Sequence, residues 1–127
     1  MYSNGYNVYK TNSVNYASKE QLLLMLVDGA VKFTKIARQA ILDKDIQKAH
    51  DNLKKSQNIF IELMISLDVS KAEWTEPLLD IYEFIKNKLV EANLKKRVDI
   101  IDEILPLIES VSKLWHDTYK EAKKQQK

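Results

Sequence analysis

A chain of 127 residues with 20 basic and 18 acidic side chains, formal charge +2, is one domain by length, can bury a core without staples, and has no charge excess that calls for nucleic acid. With no cysteine, it excludes a disulfide scaffold, a thiol nucleophile and a thiolate metal site. Two glycines and two prolines among many Leu, Ile, Ala, Lys, Glu and Gln point to long helices and short links; the longest apolar run, Leu22 to Val27, precludes membrane insertion, and the missing basic-then-apolar start leaves a soluble, cytoplasmic protein as the expectation.

Residues 1–16 show no sustained period, and their Ser, Asn and Thr favour turns over helix. Tyr2, Tyr6, Tyr9 and Tyr16 stand in this polar arm, and each has an apolar ring that is better covered. Three readings stay open: a strap over the bundle's edge, a lid displaced by a partner, or disorder. Tyr6, Tyr9 and Tyr16 are the candidate lid residues.

Ser18-Lys19-Glu20-Gln21 reads as a capping box, so the first helix is predicted over 17–42. Leu22, Met25, Leu26, Phe33, Ile36, Ala37, Ala40 and Ile41 form its stripe. Gly29 costs ~1 kcal/mol there relative to Ala, which a close helix–helix approach would justify. Asp43-Lys44-Asp45 is a tight turn, and Asp45 caps the second helix, predicted over 46–67. Leu53, Phe60, Leu63, Met64 and Leu67 make its core stripe. Ile59, Ile61 and Ile65 fall outside it and widen the apolar arc to roughly 240°, where one core needs ~100°.

The third helix is predicted over 75–93, with Thr75 as cap and Pro77 in the first turn. Leu78, Ile81, Tyr82, Ile85, Leu89 and Ala92 face its core; Leu79, Phe84 and Val90 do not. The fourth, predicted over 98–122, buries Ile101, Ile104, Leu105, Ile108, Val111 and Trp115. Beside them runs a second row, Ile100, Leu107 and Leu114, and Pro106 is expected to kink the helix. The short links imply an all-α, antiparallel up-down four-helix bundle with an irregular N-terminal arm, one domain over 1–127.

Chemistry is scarce. A dimetal bundle needs inward Glu-x-x-His pairs, but Gln47 and Lys113 stand three residues before His50 and His116. Both histidines read as surface residues. There is no phosphate-cradling glycine loop and no nucleophile elbow, so no catalytic residue, metal or cofactor is assigned. Lys54-Lys55 and Lys95-Lys96-Arg97 are too short for a nucleic-acid face. What remains is an apolar surplus on three helices. It either fills the bundle or a weak homodimer seam, in a self-associating adaptor or structural protein, or it forms a groove for a partner's helices.

Several segments, in order, resemble the flagellar secretion chaperone FliS family. Tyr9 to Asn15, with Asn12-Ser13-Val14, is similar to its N-terminal segment, and Ala17-Ser18-Lys19-Glu20-Gln21-Leu22-Leu23-Leu24-Met25-Leu26-Val27-Asp28-Gly29 to its first helix. Asn52 to Ile59 with Glu62-Leu63 and Ser66-Leu67 fits the second, Leu79-Asp80-Ile81-Tyr82 and Leu89 to Asn93 the third, and Trp115 the fourth. Val27 replaces the usual Tyr, and the glycines common ahead of the third helix are absent at Lys71-Ala72-Glu73. The resemblance implies a cytoplasmic chaperone, not an enzyme, that holds the disordered C-terminal segment of flagellin as helices in apolar grooves. The export apparatus and regulators of flagellin synthesis are further candidate partners. On this reading Ile61, Ile65, Leu79, Phe84, Val90, Ile100, Leu107 and Leu114 wall the grooves, and Gln57 and Asn93 pair with client backbone.

Overall fold

The computed structural model describes residues 18–68, 70 and 72–125. Four helices follow in order: α1 Lys19–Leu42, α2 Ile46–Ser66, α3 Thr75–Lys95 and α4 Val98–Gln125. Each packs against its neighbours in the chain, and α1 meets α4 to close a ring; α1 and α3, like α2 and α4, do not meet. Contacts run antiparallel around that ring. Between α1 and α2, Thr34 meets Ser56 and Gly29 meets Ile59. Between α2 and α3, His50 meets Asn93 and Phe60 meets Tyr82. Between α1 and α4, Arg38 meets Asp102 and Asp28 meets His116. We call the end that carries the Asp43–Asp45 and Lys96–Arg97 links the upper end.

Local chemistry sets the helix ends. Ser18 Oγ accepts from the Gln21 amide at 3.1 Å, while Gln21 Oε1 accepts from the Ser18 amide at 3.0 Å. This is the expected capping box, which satisfies two otherwise orphan donors. Asp45 caps α2 by accepting from the Lys48 amide at 3.2 Å. The upper links close through Lys44 and Lys96, both left-handed at φ 62° and 51°.

Thr75 is not the cap of α3. Trp74 occupies that position with no side-chain bond, and Thr75 is the first helical residue. Its hydroxyl donates to the Ala72 carbonyl at 2.7 Å and it is buried, so it secures the loop and not the helix end. α4 continues as helix through Pro106. Proline leaves the Asp102 carbonyl without its amide donor, but both residues are exposed, so water can replace it.

The core is apolar, mostly aliphatic with two aromatic rings, and has Leu53, Phe60, Leu63, Tyr82, Ile85, Leu89, Ile101, Ile104 and Ile108 at its centre. Two residues of α1 and α2 depart from the predicted stripes. Ile59 is buried at 3% exposure, because α2 serves α1 as well as α3; its Cδ1 comes within 3.3 Å of where a Gly29 Cβ would stand. That contact is the flexible tip of a side chain and not backbone, so the α1–α2 approach at Gly29 is close without requiring glycine. Met25, placed on the predicted stripe of α1, is exposed instead.

Two polar pairs lie inside the bundle. Thr34 Oγ1 and Ser56 Oγ lie 3.0 Å apart, and Trp115 Nε1 donates to the Tyr82 hydroxyl at 2.8 Å. Toward the lower end Trp115 also stacks on Tyr119, centroids 5.8 Å apart, and takes the edge of Trp74 at 6.2 Å. No helix among the described residues is long and apolar enough to cross a membrane.

Candidate partner-binding site

The four seams of the ring differ in chemistry. The α1/α4 seam is tied by polar groups. Arg38 grips Asp102 with Nε to Oδ1 at 2.6 Å and Nη2 to Oδ2 at 3.3 Å, and this hydrogen bonding holds the Asp102 carboxyl below the usual carboxylate range. Lower down, Asp28 Oδ1 takes Ser112 Oγ at 3.0 Å and His116 Nε2 at 2.8 Å. At the α1/α2 seam Phe33 lies under the Lys55 ammonium, 5.1 Å from the ring centre.

The two flanks of α3 are different. Its α2-facing edge is marked by Asn93, which meets His50. Val90, Lys86 and Leu79 precede Asn93 at helical spacings and share that edge. On α2, Lys54, Gln57, Ile61 and Ile65 follow His50 in the same way. Ile61 and Ile65 are 40% and 74% exposed, and Leu79 and Val90 are half-buried. The α4-facing edge of α3 is marked by Lys88, 3.5 Å from Glu103. Phe84 sits below the Lys88 ammonium at 5.8 Å and is 44% exposed; Ile81, on the same edge, is 37% exposed. On α4, Leu107 and Leu114 follow Glu103 at helical spacing, the first half-buried and the second 46% exposed. Two strips of partly exposed apolar side chains therefore run along the flanks of α3, one beside α2 and one beside α4, and are the groove candidates.

The structure brings Ile61, Ile65, Leu79 and Val90 to one groove, and Phe84, Leu107 and Leu114 to the other. It buries three other predicted residues. Ile100 is 6% exposed and belongs to the core, because the first turn of α4 faces inward. Asn93 is 8% exposed and its amide is engaged: Nδ2 approaches His50 Nδ1 at 3.0 Å and Oδ1 accepts from Lys96 Nζ at 2.7 Å. These partners hold it within the bundle and leave one N–H for any other partner. Gln57 is likewise buried, at 6%. Ile81 was missed as a wall residue because its spacing to Leu78, Tyr82 and Ile85 reads as core; Lys88 pairing with α4 is what identifies its edge. Also missed were exposed Leu42, Ile46 and Leu94 near the upper end and Trp74 near the lower. Tyr6, Tyr9 and Tyr16 lie outside the described residues. Among the described residues no group of three His, Asp or Glu side chains is placed to hold a metal.

Comparison with known proteins agrees with this architecture. The family model for the flagellar protein FliS matches residues 2–122. The flagellar secretion chaperone FliS of Bacillus subtilis (strain 168) is 32% identical over 121 residues, 95% of this chain and 90% of that protein. The FliS of Escherichia coli (strain K12) is 31% identical over 109 residues, 84% and 80% of the two chains. A crystal structure of a flagellar chaperone from bacteria shares the fold, with a TM-score of 0.73 at 14% identity, covering 95% of this chain and 99% of that one. A family match running almost from end to end, with relatives at this level of identity, makes the chain a member of the FliS family of flagellar secretion chaperones.

Proposed function

We propose that this chain is a cytoplasmic export chaperone that binds the disordered C-terminal segment of flagellin, lays it as helices in the grooves beside α3, prevents premature polymerisation and keeps it competent for flagellar type III secretion. One observation carries this reading: with the core already filled, Ile61, Ile65, Ile81, Phe84 and Leu114 remain between 37% and 74% exposed along two flanks of one helix. Apolar grooves of this kind suit amphipathic helices, which supply the missing cover. Burying six aliphatic side chains at ~1.5 kcal/mol each gives about 9 kcal/mol, and ordering the guest costs ~2–5 of it. The remainder suits holding with release. Family membership supports a chaperone and not an enzyme.

Calorimetric titration with the last forty or so residues of the cognate flagellin tests the reading. Saturable binding with a negative heat-capacity change is expected; no heat and no binding by an independent method overturns it. Tyr6, Tyr9 and Tyr16 fit a lid over the same grooves. Deleting residues 1–16 then speeds client association, read by stopped-flow fluorescence, and an unchanged on-rate rejects the lid.

A second reading is a self-associating bundle. Leu94 at 80% exposure, with Leu42 and Ile46 at 51% each, lies away from the groove walls and favours a contact between copies. Sedimentation across concentration, with and without the peptide, separates the two: a pure self-assembler ignores the peptide.

A further inference from the structure

The grooves differ in how their lysines are satisfied. At the α3/α4 groove, Lys88 lies 3.7 Å from Glu91 and 3.5 Å from Glu103, and Lys95 lies 3.2 Å from Glu91. That ladder closes the groove's upper end, and below it the walls are apolar. At the α2/α3 groove, Lys54 is exposed and Lys86 half-buried, and neither forms an ion pair among the described residues. The pairings of His50 with Asn93 and of Phe60 with Tyr82 fix the register of this seam. Lys86 then stands level with Gln57, and Lys54 stands roughly one helical turn, ~5 Å, above it.

We propose that the α2/α3 groove takes an amphipathic helix with carboxylates about one turn apart facing Lys54 and Lys86, whereas the α3/α4 groove takes an apolar stripe alone. The proposal rests on the helix-in-groove reading above. A wholly apolar guest over Ile61, Leu79 and Val90 would strip water from Lys86, whose acidic neighbour on that edge, Glu83, forms no ion pair with it, and that is unfavourable. A guest carboxylate removes that penalty and adds a charge-assisted hydrogen bond. Glu83 lies one turn below Lys86 on the same edge of α3. Its charge confines the guest's acidic residues to the half of the groove nearer Asn93. The pattern therefore favours an acidic segment of the client in the α2/α3 groove over a wholly apolar one.

The test uses the full chain and the flagellin C-terminal peptide, titrated calorimetrically at low salt and again at several hundred millimolar salt. Lys54→Gln with Lys86→Gln is expected to weaken binding about five- to twentyfold at low salt and to flatten the salt dependence. Lys35→Gln, exposed on α1, serves as control and leaves both unchanged. A peptide whose acidic residues are replaced by their amides shows the same loss with the unmodified chain, and no further loss with the double variant. Unaltered affinity and salt dependence in the double variant overturn the charge assignment; if Ile61→Glu still abolishes binding in that case, the groove reading survives alone. Failure of the unmodified chain to bind the peptide overturns both. Sedimentation that shows a second copy on this face, indifferent to peptide, overturns the proposal in favour of self-association.

Discussion

On the proposed helix-in-groove reading, replacing Ile61 and Leu114 together by glutamate is expected to leave a folded bundle whose affinity for the flagellin C-terminal segment falls at least about a hundredfold. Both side chains are partly solvent-exposed, at 40% and 46%, so the free protein stays folded, each change costing it about 1 kcal/mol. The complex loses far more. Each substitution removes the burial that a guest adds to a side chain 40–46% exposed, about 1 kcal/mol, and places a carboxylate against an apolar guest, which is the larger loss. Ile61 lines the α2/α3 groove and Leu114 the α3/α4 groove, so the single variants report on each separately. Calorimetry gives the affinity, and a circular-dichroism melt confirms the fold. Wild-type affinity in a folded double variant removes the groove assignment.

Tyr82→Phe is expected to lower stability at neutral pH by about 1–3 kcal/mol, because it leaves the Trp115 indole N–H without its buried acceptor. The ring packing survives, since Phe60 contacts the Tyr82 ring and not its hydroxyl. The same change alters the alkaline limb of stability. Desolvation by burial pushes the Tyr82 phenol up to about 12 from its ordinary 10.0. The folded state therefore retains a proton that the unfolded chain has released. Its contribution is fully present below pH ~10 and is lost as pH rises through the folded value, by up to about 2–3 kcal/mol. Urea midpoints measured across pH 9–12 should fall more steeply for the natural chain than for Tyr82→Phe, and the late-titrating part of the tyrosinate absorbance should lose one group in that variant. Parallel curves for the two proteins contradict this.

The helices were legible because their signals are local. The Ser18–Gln21 capping box, Asp45 before α2, and apolar residues at 3.6 spacing need nothing from the rest of the chain. The surplus itself was legible too, as more apolar arc than one core uses. Its allotment was not. Ile59 and Ile61 are two residues apart on α2, and both lie outside the Leu53–Phe60–Leu67 stripe. One is buried against α1 and the other faces the groove, because only the assembled ring says which side of α2 each neighbour takes. Ile81 and Ile100 exchanged roles for the same reason. Asn93 looked wholly free for a client until His50 and Lys96 were found on its amide, and those partners come from α2 and from the left-handed turn after α3.

The positions of the links give the polar contacts a further consequence. The molecule is two hairpins, α1–α2 and α3–α4, each folded back at the upper end and joined to one another only near the lower end, by residues 67–74. No peptide bond crosses the upper end between them. There the seam between α2 and α3 is clasped by His50 and Asn93, and the seam between α1 and α4 by Arg38 and Asp102. The covalent chain hinges one end of this pair of hairpins, and two side-chain buckles fasten the other.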